Sequence, residues 1–320
     1  MTDPTTAVPA PEVSVVVASR DGAERLPTLL DALARQTLAP GRYEVIVVDD
    51  GSRDGGAPEP HGAARWLRHQ SPRGPAAARN TGWRAARAPL VAFTDDDCRP
   101  EPAWLETGLR EHAAHPGAII QGRTRPEPDD EWRLARPNAR SQRVDRLGPF
   151  FQTCNVFYPR ELLERVGGFD ERIRTPSHED VDLAMRALEA GAGAVFAAGA
   201  LVNHAVAERS LREAVRSTAR WGPLPALVRS HPRMRAAFPW RGRVWRESHA
   251  RLLLALAGLA LAPVHRAFLA WCVPYVTYRH GWRPRELART LAELPAVVPV
   301  DAAELAVLTW SSARTRTLFL

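Results

Sequence analysis

The sequence predicts an α/β fold in which a mainly parallel central sheet is flanked by helices and followed by a helical C-terminal extension. Two short apolar runs, Val13 to Ala18 and Tyr43 to Val48, enclose Glu24 to Gln36, where apolar residues recur at helical spacing. A strand, a helix and a second strand in this order form a parallel unit. The carboxyl ends of its strands meet at the edge where open α/β sheets bind ligands.

The same alternation continues to about residue 204. Glycine and proline in Arg53 to Gly62 predict a loop, and the polar, aperiodic stretch Glu127 to Pro149 predicts a mobile loop or lid. Helical spacing recurs in Ala76 to Ala86, Pro102 to His112, Glu161 to Val166 and Asp180 to Ala190; extended patterns recur in Leu90 to Thr94, Ala118 to Gly122, Ala194 to Ala197 and Ala200 to His204.

The pattern changes after His204, where arginine, tryptophan and proline become frequent and the apolar stretch Leu252 to Val276 is interrupted by prolines. We therefore expect three parts. They are a disordered tail over residues 1–12, an α/β domain over residues 13–208, and a helical extension over residues 209–320.

Composition indicates a globular protein, since 45% of the 320 residues are hydrophobic and 25% are charged. The chain exceeds the roughly 100 to 200 residues of one domain. Its formal net charge is +7, and all 43 basic residues are arginine. With so much alanine and proline, this usage indicates GC-rich coding, so arginine abundance alone is weak evidence for phosphate binding. A basic surface still favours anionic partners.

The three cysteines, Cys98, Cys154 and Cys272, have no zinc-ligand spacing, and an odd, sparse set is typical of a reducing compartment. The first twelve residues contain neither the basic start nor the apolar stretch of a secretory signal. We expect a cytoplasmic protein, or one at the cytoplasmic face of a membrane.

Acidic residues recur at the ends of the predicted strands. Asp49 and Asp50 end one strand, Asp95 to Asp97 end another, and Glu179 with Asp180 opens a later helix. A single pair is explained by turn or cap preferences. Three sets gathered at one sheet edge are costly unless something positive joins them. A divalent cation with a diphosphate is the natural partner.

These segments resemble, over Val13 to about Val206, the family-2 glycosyltransferases with the GT-A fold. The resemblance rests on six pieces in family order: Val13 to Asp21, VIVVDDGSRDG (Val45 to Gly55), RGPAAARNTGWRAA (Arg73 to Ala86), VAFTDDDC (Val91 to Cys98), GGFDE (Gly167 to Glu171) and HEDVDLAMR (His178 to Arg186). It implies that residues 13–208 bind a nucleotide-sugar and catalyse transfer.

The resemblance assigns roles to five carboxylates. It implies that Asp49 hydrogen-bonds the nucleotide base, and that Asp95 and Asp97 form the DxD motif, with Asp97 the direct ligand of Mg²⁺ or Mn²⁺ and Asp95 nearer the ribose or metal-bound water. Asp180 matches the catalytic base, and Glu179 its positioning partner. A helix N-terminus and a nearby cation favour the ionised form of such a base.

The opening loop departs from the family pattern. It reads Ala18-Ser19-Arg20-Asp21, where many relatives have Pro-Thr-Tyr-Asn, so the stacking aromatic is missing. We expect Ser19, Arg20 and Asp21 to contact the nucleotide, with Arg20 as the substitute, and the identity of the donor nucleotide stays open.

Three further residues each have two interpretations. Asp96 is either a donor contact or a solvated neighbour of the motif. Arg79 either pairs with the nucleotide phosphates or Asp95, or is a surface residue. His204 resembles a histidine that contributes to metal or diphosphate binding in part of the family; a lone histidine is as often structural.

The tail also has two interpretations. Its longest uninterrupted apolar stretch, Leu252 to Val264, is shorter than the roughly 20 residues that span a bilayer. Arginine and tryptophan around it fit an interfacial helix in peripheral contact with a membrane. A helix packed on the core or on a second subunit of an oligomer explains the pattern equally.

The resulting hypothesis is a metal-dependent, inverting, hexosyltransferase-type enzyme that moves a sugar from a nucleoside-diphosphate sugar to an acceptor hydroxyl on a lipid-linked or cell-envelope glycan. One alternative is a sugar-phosphate nucleotidyltransferase, although Ala18 to Gly22 lacks the Gly-rich basic loop expected there. Another is a non-catalytic basic protein that binds membranes or nucleic acid. Strand-end carboxylates would repel nucleic acid, so we expect none as a partner.

Overall fold

The computed structural model describes residues 10–53, 64–174 and 176–320. The predicted disordered tail falls largely outside these residues, as does most of the predicted loop from Arg53 to Gly62. The chain divides into two compact units. The first comprises the described part of Met1–Trp132 together with Ser141–Val206, and the second comprises Arg133–Arg140 and Ala207–Leu320.

The first unit contains eight strands and five helices among its described residues. The strands are β1 (Val13–Ser19), β2 (Tyr43–Asp49), β3 (Arg65–Arg68), β4 (Leu90–Asp95), β5 (Cys98–Pro100), β6 (Ile119–Pro126), β7 (Val156–Pro159) and β8 (Ala194–His204). The helices are α1 (Leu26–Ala34), α2 (Pro75–Ala85), α3 (Trp104–Ala114), α4 (Arg160–Val166) and α5 (Glu179–Glu189).

All eight strands form one sheet in the order β3-β2-β1-β4-β7-β6-β8-β5. The strands β3, β2, β1 and β4 run parallel, as predicted from the first strand-helix-strand unit. The remainder is mixed, because β7 is antiparallel to both β4 and β6, and β5 is antiparallel to β8. The α/β class is therefore confirmed, with a mixed sheet in place of a mainly parallel one.

Burial explains why the first strands are unbroken apolar runs. Val15, Val16 and Val17 in β1 are all fully buried, so both faces of this strand are covered. On one side α2 packs closely at Gly82, where an added Cβ would lie 2.4 Å from Cγ1 of Val16. Glycine is thus required for this helix to approach the sheet.

Two local expectations changed. The predicted strands Ala194 to Ala197 and Ala200 to His204 are one strand, β8, which pairs with β6 on both sides of a register shift between Ala197 and Leu201. The predicted lid contains a 3-10 segment, Pro128–Ala135, and its residues Arg133–Arg140 belong to the second unit.

The second unit is helical. Its helices are α6 (Leu211–Ser217), α7 (Leu224–Ser230), α8 (Pro239–Gly242), α9 (Glu247–Leu261), α10 (Val273–Thr277) and α11 (Pro284–Thr315). Leu252, Ala255, Tyr275 and Leu305 form a core between α9, α10 and α11. None of the helices described is long and apolar enough to cross a membrane.

Candidate active site

Strand register brings the first acidic positions together. The parallel pairing of β1 and β2 places Ser19 opposite Asp49, and the pairing of β1 and β4 places Ala18 opposite Asp95. Because all three strands end here, both carboxylates and the Ser19 hydroxyl lie at one edge of the sheet, as the sequence predicts.

Asp49 is buried, and its two oxygens have different surroundings. Its Oδ1 accepts hydrogen bonds from the backbone N–H and hydroxyl of Ser52, at 2.8 and 2.6 Å. Its Oδ2 lies 3.3 Å from Nε of Arg68 and has no hydrogen-bond partner among the described residues. A buried carboxylate oxygen in this state is suited to accept a hydrogen bond from a ligand.

The loop after β1 is held against the loop after β2. The backbone N–H of Asp21 donates to the Ser52 hydroxyl at 2.9 Å, and the Asp21 carboxylate accepts from the backbone N–H of Arg53 at 2.7 Å. Arg20 is exposed, with its Nε 3.8 Å from Asp21. These contacts position the segment that the sequence predicts to face the nucleotide.

Asp96 is engaged by two neighbours within the protein. It accepts a hydrogen bond from the Ser19 hydroxyl at 2.6 Å and pairs with Arg25 at 3.0 Å. Gly22 packs against it so closely that an added Cβ would lie 2.3 Å from Oδ2 of Asp96. Asp96 therefore ties the end of β4 to the loop after β1 and is mostly buried rather than solvated, and its contact with the donor stays a prediction.

Arg79 joins the DxD segment to the helix that begins with Glu179. One terminal nitrogen of Arg79 lies 2.8 Å from Asp95, and the other lies 2.8 Å from Glu179. The guanidinium is buried, and its two carboxylate partners raise its pKa above the usual arginine value. The expected pairing with Asp95 is present, and Arg79 is no surface residue.

Glu179 and Asp180 are both destabilised as anions. Glu179 is buried with its Oε2 lacking a hydrogen-bond partner among the described residues, and burial raises its pKa. Burial, reinforced by the charge of Glu179, raises the pKa of Asp180 to about 8. The helix N-terminus favours the ionised form through the backbone N–H of Val181, at 2.8 Å, but burial outweighs this hydrogen bond.

Asp97 and His204 converge through the short strand β5. Asp97 directly precedes β5, whose Cys98 pairs with His204 at the end of β8. Oδ1 of Asp97 consequently lies 3.6 Å from Nε2 of His204. Burial raises the pKa of Asp97, and the charge of His204 opposes that rise.

These donor atoms fit a divalent cation. Nδ1 of His204 lies 2.9 Å from the carbonyl oxygen of Ala205, which can only accept, so Nδ1 carries the hydrogen. The lone pair of a neutral His204 then lies on Nε2, which faces Asp97, and a hydrogen bond from the other nitrogen is the usual arrangement of a ligating histidine. Sγ of Cys98 is also near, but burial raises its thiol pKa well above normal, so it is a poor ligand.

The sequence interpretation did not identify several residues that shape the site. Arg25 and Arg68, which pair with Asp96 and Asp49, lie on exposed segments with no distinctive pattern. Asn80 follows Arg79 in the resembling motif; it donates to the Phe169 carbonyl and to Glu171, each at 2.9 Å. The resemblance could have predicted this contact, because the GGFDE segment and the Ala-Arg-Asn helix are both among the resembling segments and pack on each other.

Comparison with known proteins gives the same classification as the motifs. Residues 14–169 match the model of Glycosyl transferase family 2. The chain is 34% identical over 208 residues to the pre-mycofactocin glycosyltransferase of Mycobacterium tuberculosis, covering 60% of this chain and 42% of that protein. It is 32% identical over 216 residues to the validoxylamine A glucosyltransferase of Streptomyces hygroscopicus, covering 55% and 48%.

Solved structures share the fold. The mannosyltransferase PcManGT from Pyrobaculum calidifontis, in complex with GDP-Man and Mn²⁺, aligns with a TM-score of 0.53 and 22% identity over 91% of this chain and 88% of that one. TarS residues 1–349 from S. aureus, in complex with UDP, align with a TM-score of 0.52 and 15% identity over 96% and 92%. The first unit has the GT-A fold of these structures, and within it residues 14–169 match the family-2 glycosyltransferases.

Proposed function

We propose that the chain is a metal-dependent, inverting glycosyltransferase that transfers a sugar from a nucleoside-diphosphate sugar to an acceptor hydroxyl. The observation that carries this proposal is the position of Arg79, 2.8 Å from both Asp95 and Glu179. This guanidinium joins the carboxylate of the DxD segment to the carboxylate pair at the start of α5. Donor-binding and proton-accepting groups thereby lie within one site.

Asp97, His204 and Asp95 would hold the cation, whose charge would neutralise the departing diphosphate. A histidine nitrogen in the donor set favours a first-row transition metal such as Mn²⁺ over Mg²⁺, which prefers oxygen ligands. The Mn²⁺ in the structure of PcManGT supports this choice.

The protein's own residues would bind the nucleotide, position the acceptor and accept the proton. Oδ2 of Asp49, which accepts no hydrogen bond from the described residues, would accept one from the nucleotide base, and the loop of Ser19, Arg20 and Asp21 would contact the nucleotide. Asp180 would accept the acceptor's hydroxyl proton as the new glycosidic bond forms. Glu179, held by Arg79, would position the acceptor. The curated relatives support glycosyl transfer, although this chain spans only about half of their length.

The test is a screen of nucleotide-sugars for binding and slow hydrolysis, each measured with Mn²⁺, with Mg²⁺ and with EDTA. We expect at least one donor to be bound and hydrolysed only when the cation is present, and more strongly with Mn²⁺. Release of the free sugar with a nucleoside diphosphate would support transfer. Formation of a nucleotide-sugar from a sugar phosphate and a nucleoside triphosphate would instead show a nucleotidyltransferase.

We further propose that the second unit contacts a membrane peripherally, which would bring the enzyme to a lipid-linked acceptor. Large apolar side chains of α9 and the segment after it are exposed, including Leu256, Leu259 at 54% and Val264 at 78%. Arg251 and Arg266 flank them. Apolar side chains beside arginine match the interface of an anionic bilayer.

Replacing Leu256, Leu259 and Val264 together by serine should release the protein from anionic vesicles, because inserted apolar area is lost. High salt should also weaken binding of the wild type, since part of the attraction is electrostatic. Vesicle co-sedimentation measures both effects, with Leu318→Ser, another exposed leucine, as the control. Wild-type protein that ignores vesicles at low salt would contradict the proposal.

A further inference from the structure

The second unit contains a cavity of about 630 Å³ that none of the roles above uses. Its lining includes two arginines, three aromatic residues that carry a polar atom and one aspartate: Arg246, Arg279, Trp245, Tyr275, Tyr278 and Asp301. Aromatic faces together with a few charged groups are typical of sites for small polar ligands. The cavity is large enough for one or two sugar rings.

Arg246 is held in place before any ligand arrives. Its guanidinium carbon lies 5.8 Å from the ring centre of Trp221 and 5.6 Å from that of Trp245. One terminal nitrogen lies 3.4 Å from Glu304. A guanidinium fixed in this way loses little freedom on binding, so its contacts to an anion are efficient.

The surroundings of Arg246 are positively charged. Glu304, fully buried, lies 3.2 Å from His249 and 3.5 Å from Arg140. Burial and the charges of Arg140 and Arg209 lower the pKa of Arg220 to about 10. Arg140, Arg220 and Arg246 therefore outnumber the two carboxylates near them, Glu304 and Asp301. An added anion would relieve this repulsion.

The same groups disfavour a metal. His249, Asp301 and Glu304 place three potential ligand atoms within 4.8 Å of one another. Two arginines already lie against Glu304, and Asp301 accepts a hydrogen bond from the Tyr275 hydroxyl at 2.9 Å. A cation would displace or repel these partners, so the cluster suits an anionic ligand beside it.

The N-terminus of α9 adds to the attraction. Ser248 and Glu247, in the first turn of this 15-residue helix, line the cavity, and the charge of Glu247 is compensated by Arg251 at 2.7 Å. No side chain caps the helix at Arg246. Uncapped N–H groups and the helix dipole favour a negative group at such a position.

We propose that this cavity binds a sugar phosphate, with the phosphate between Arg246 and Arg279 and the sugar against the tyrosines. The ligand is the phosphate-bearing part of the acceptor if the chain is a glycosyltransferase, and that identification alone rests on the proposed function. Binding itself requires no transfer.

Isothermal titration calorimetry with glucose 1-phosphate tests the proposal, on full-length protein in EDTA so that no cation supports phosphate at the α/β site. Arg279→Gln should weaken binding by about tenfold or more, since a charged hydrogen bond is lost. Arg279 is partly exposed, and its partner Glu293 keeps His280 and Arg289, so the fold should persist. Arg212→Gln, an exposed arginine of α6 outside the cavity, is the matched control.

Three further ligands separate the sources of affinity. Inorganic phosphate should bind more weakly than glucose 1-phosphate, and glucose should bind weakest. UDP should gain no affinity from contact with the tyrosines. No heat with glucose 1-phosphate, or equal affinity in Arg279→Gln, would overturn the proposal. Metal-dependent donor binding that persists in Arg279→Gln would show that the proposed function stands independently of this cavity.

Discussion

Replacing Asp97 by alanine is expected to abolish the metal-dependent part of donor binding. Asp97 and His204 approach one another only because β5 pairs with β8, and Nε2 of His204 faces Asp97 at 3.6 Å. Removing the carboxylate leaves only His204 and Asp95, whose carboxylate already pairs with Arg79, and this pair cannot hold a hard cation well. The donor diphosphate then loses the charge that compensates it.

Calorimetry with the nucleotide-sugar identified by the screen measures this effect, with and without Mn²⁺. The fold should be unaffected, because Asp97 is partly exposed and burial already destabilises its anion. Asp31→Asn, an exposed aspartate of α1, is the control. Equal donor affinity in Asp97→Ala with and without Mn²⁺ would show that Asp97 is no ligand.

Much of the first unit could be predicted because its signals are local. The apolar run of β1, the helical spacing of α1 and the acidic strand ends each depend on a few consecutive residues. Parallel register then dictates that Asp49 and Asp95 flank the end of β1, with no further information needed.

The remaining site contacts depend on pairings between distant segments. The three-residue strand β5 is too short to show a period, yet it brings Asp97 to His204. The sequence does not predict the pairing of Asp96 with Arg25, because nothing in it links Asp96 to a residue 71 positions earlier. Side-chain partners of this kind are decided by packing.

The second unit was predicted only as helical. Its longest helix, α11, contains Pro295 and Pro299, which normally end a helix. Packing of this helix against α7 and α9 overrides that local preference. The buried Glu304 network likewise joins residues from three separate segments, so no motif indicates it.

Replacing Asp180 by asparagine is expected to lower the rate of sugar transfer by about 10² to 10⁴, the usual range for loss of a positioned base. Asparagine keeps the size of the side chain but cannot accept the hydroxyl proton. Donor and metal binding should persist, because the strand pairing and side-chain contact that bring Asp97 to His204 do not involve Asp180. Rapid-mixing measurements of a single turnover separate the transfer step from product release.

The pH profile distinguishes a base from a structural carboxylate. Burial and the charge of Glu179 raise the pKa of Asp180 to about 8, so a substantial fraction is protonated, and inactive as a base, at neutral pH. Wild-type transfer should therefore rise with pH and level off at or below about 8, since a bound cation favours the ionised form. Asp180→Asn should lose this rise. Asp182→Asn, whose native carboxylate pairs with Arg186 at 2.7 Å, is the matched control in the same helix and should keep it. An unchanged transfer rate in Asp180→Asn, with a large loss in Asp182→Asn, would show that Asp182 is the base instead.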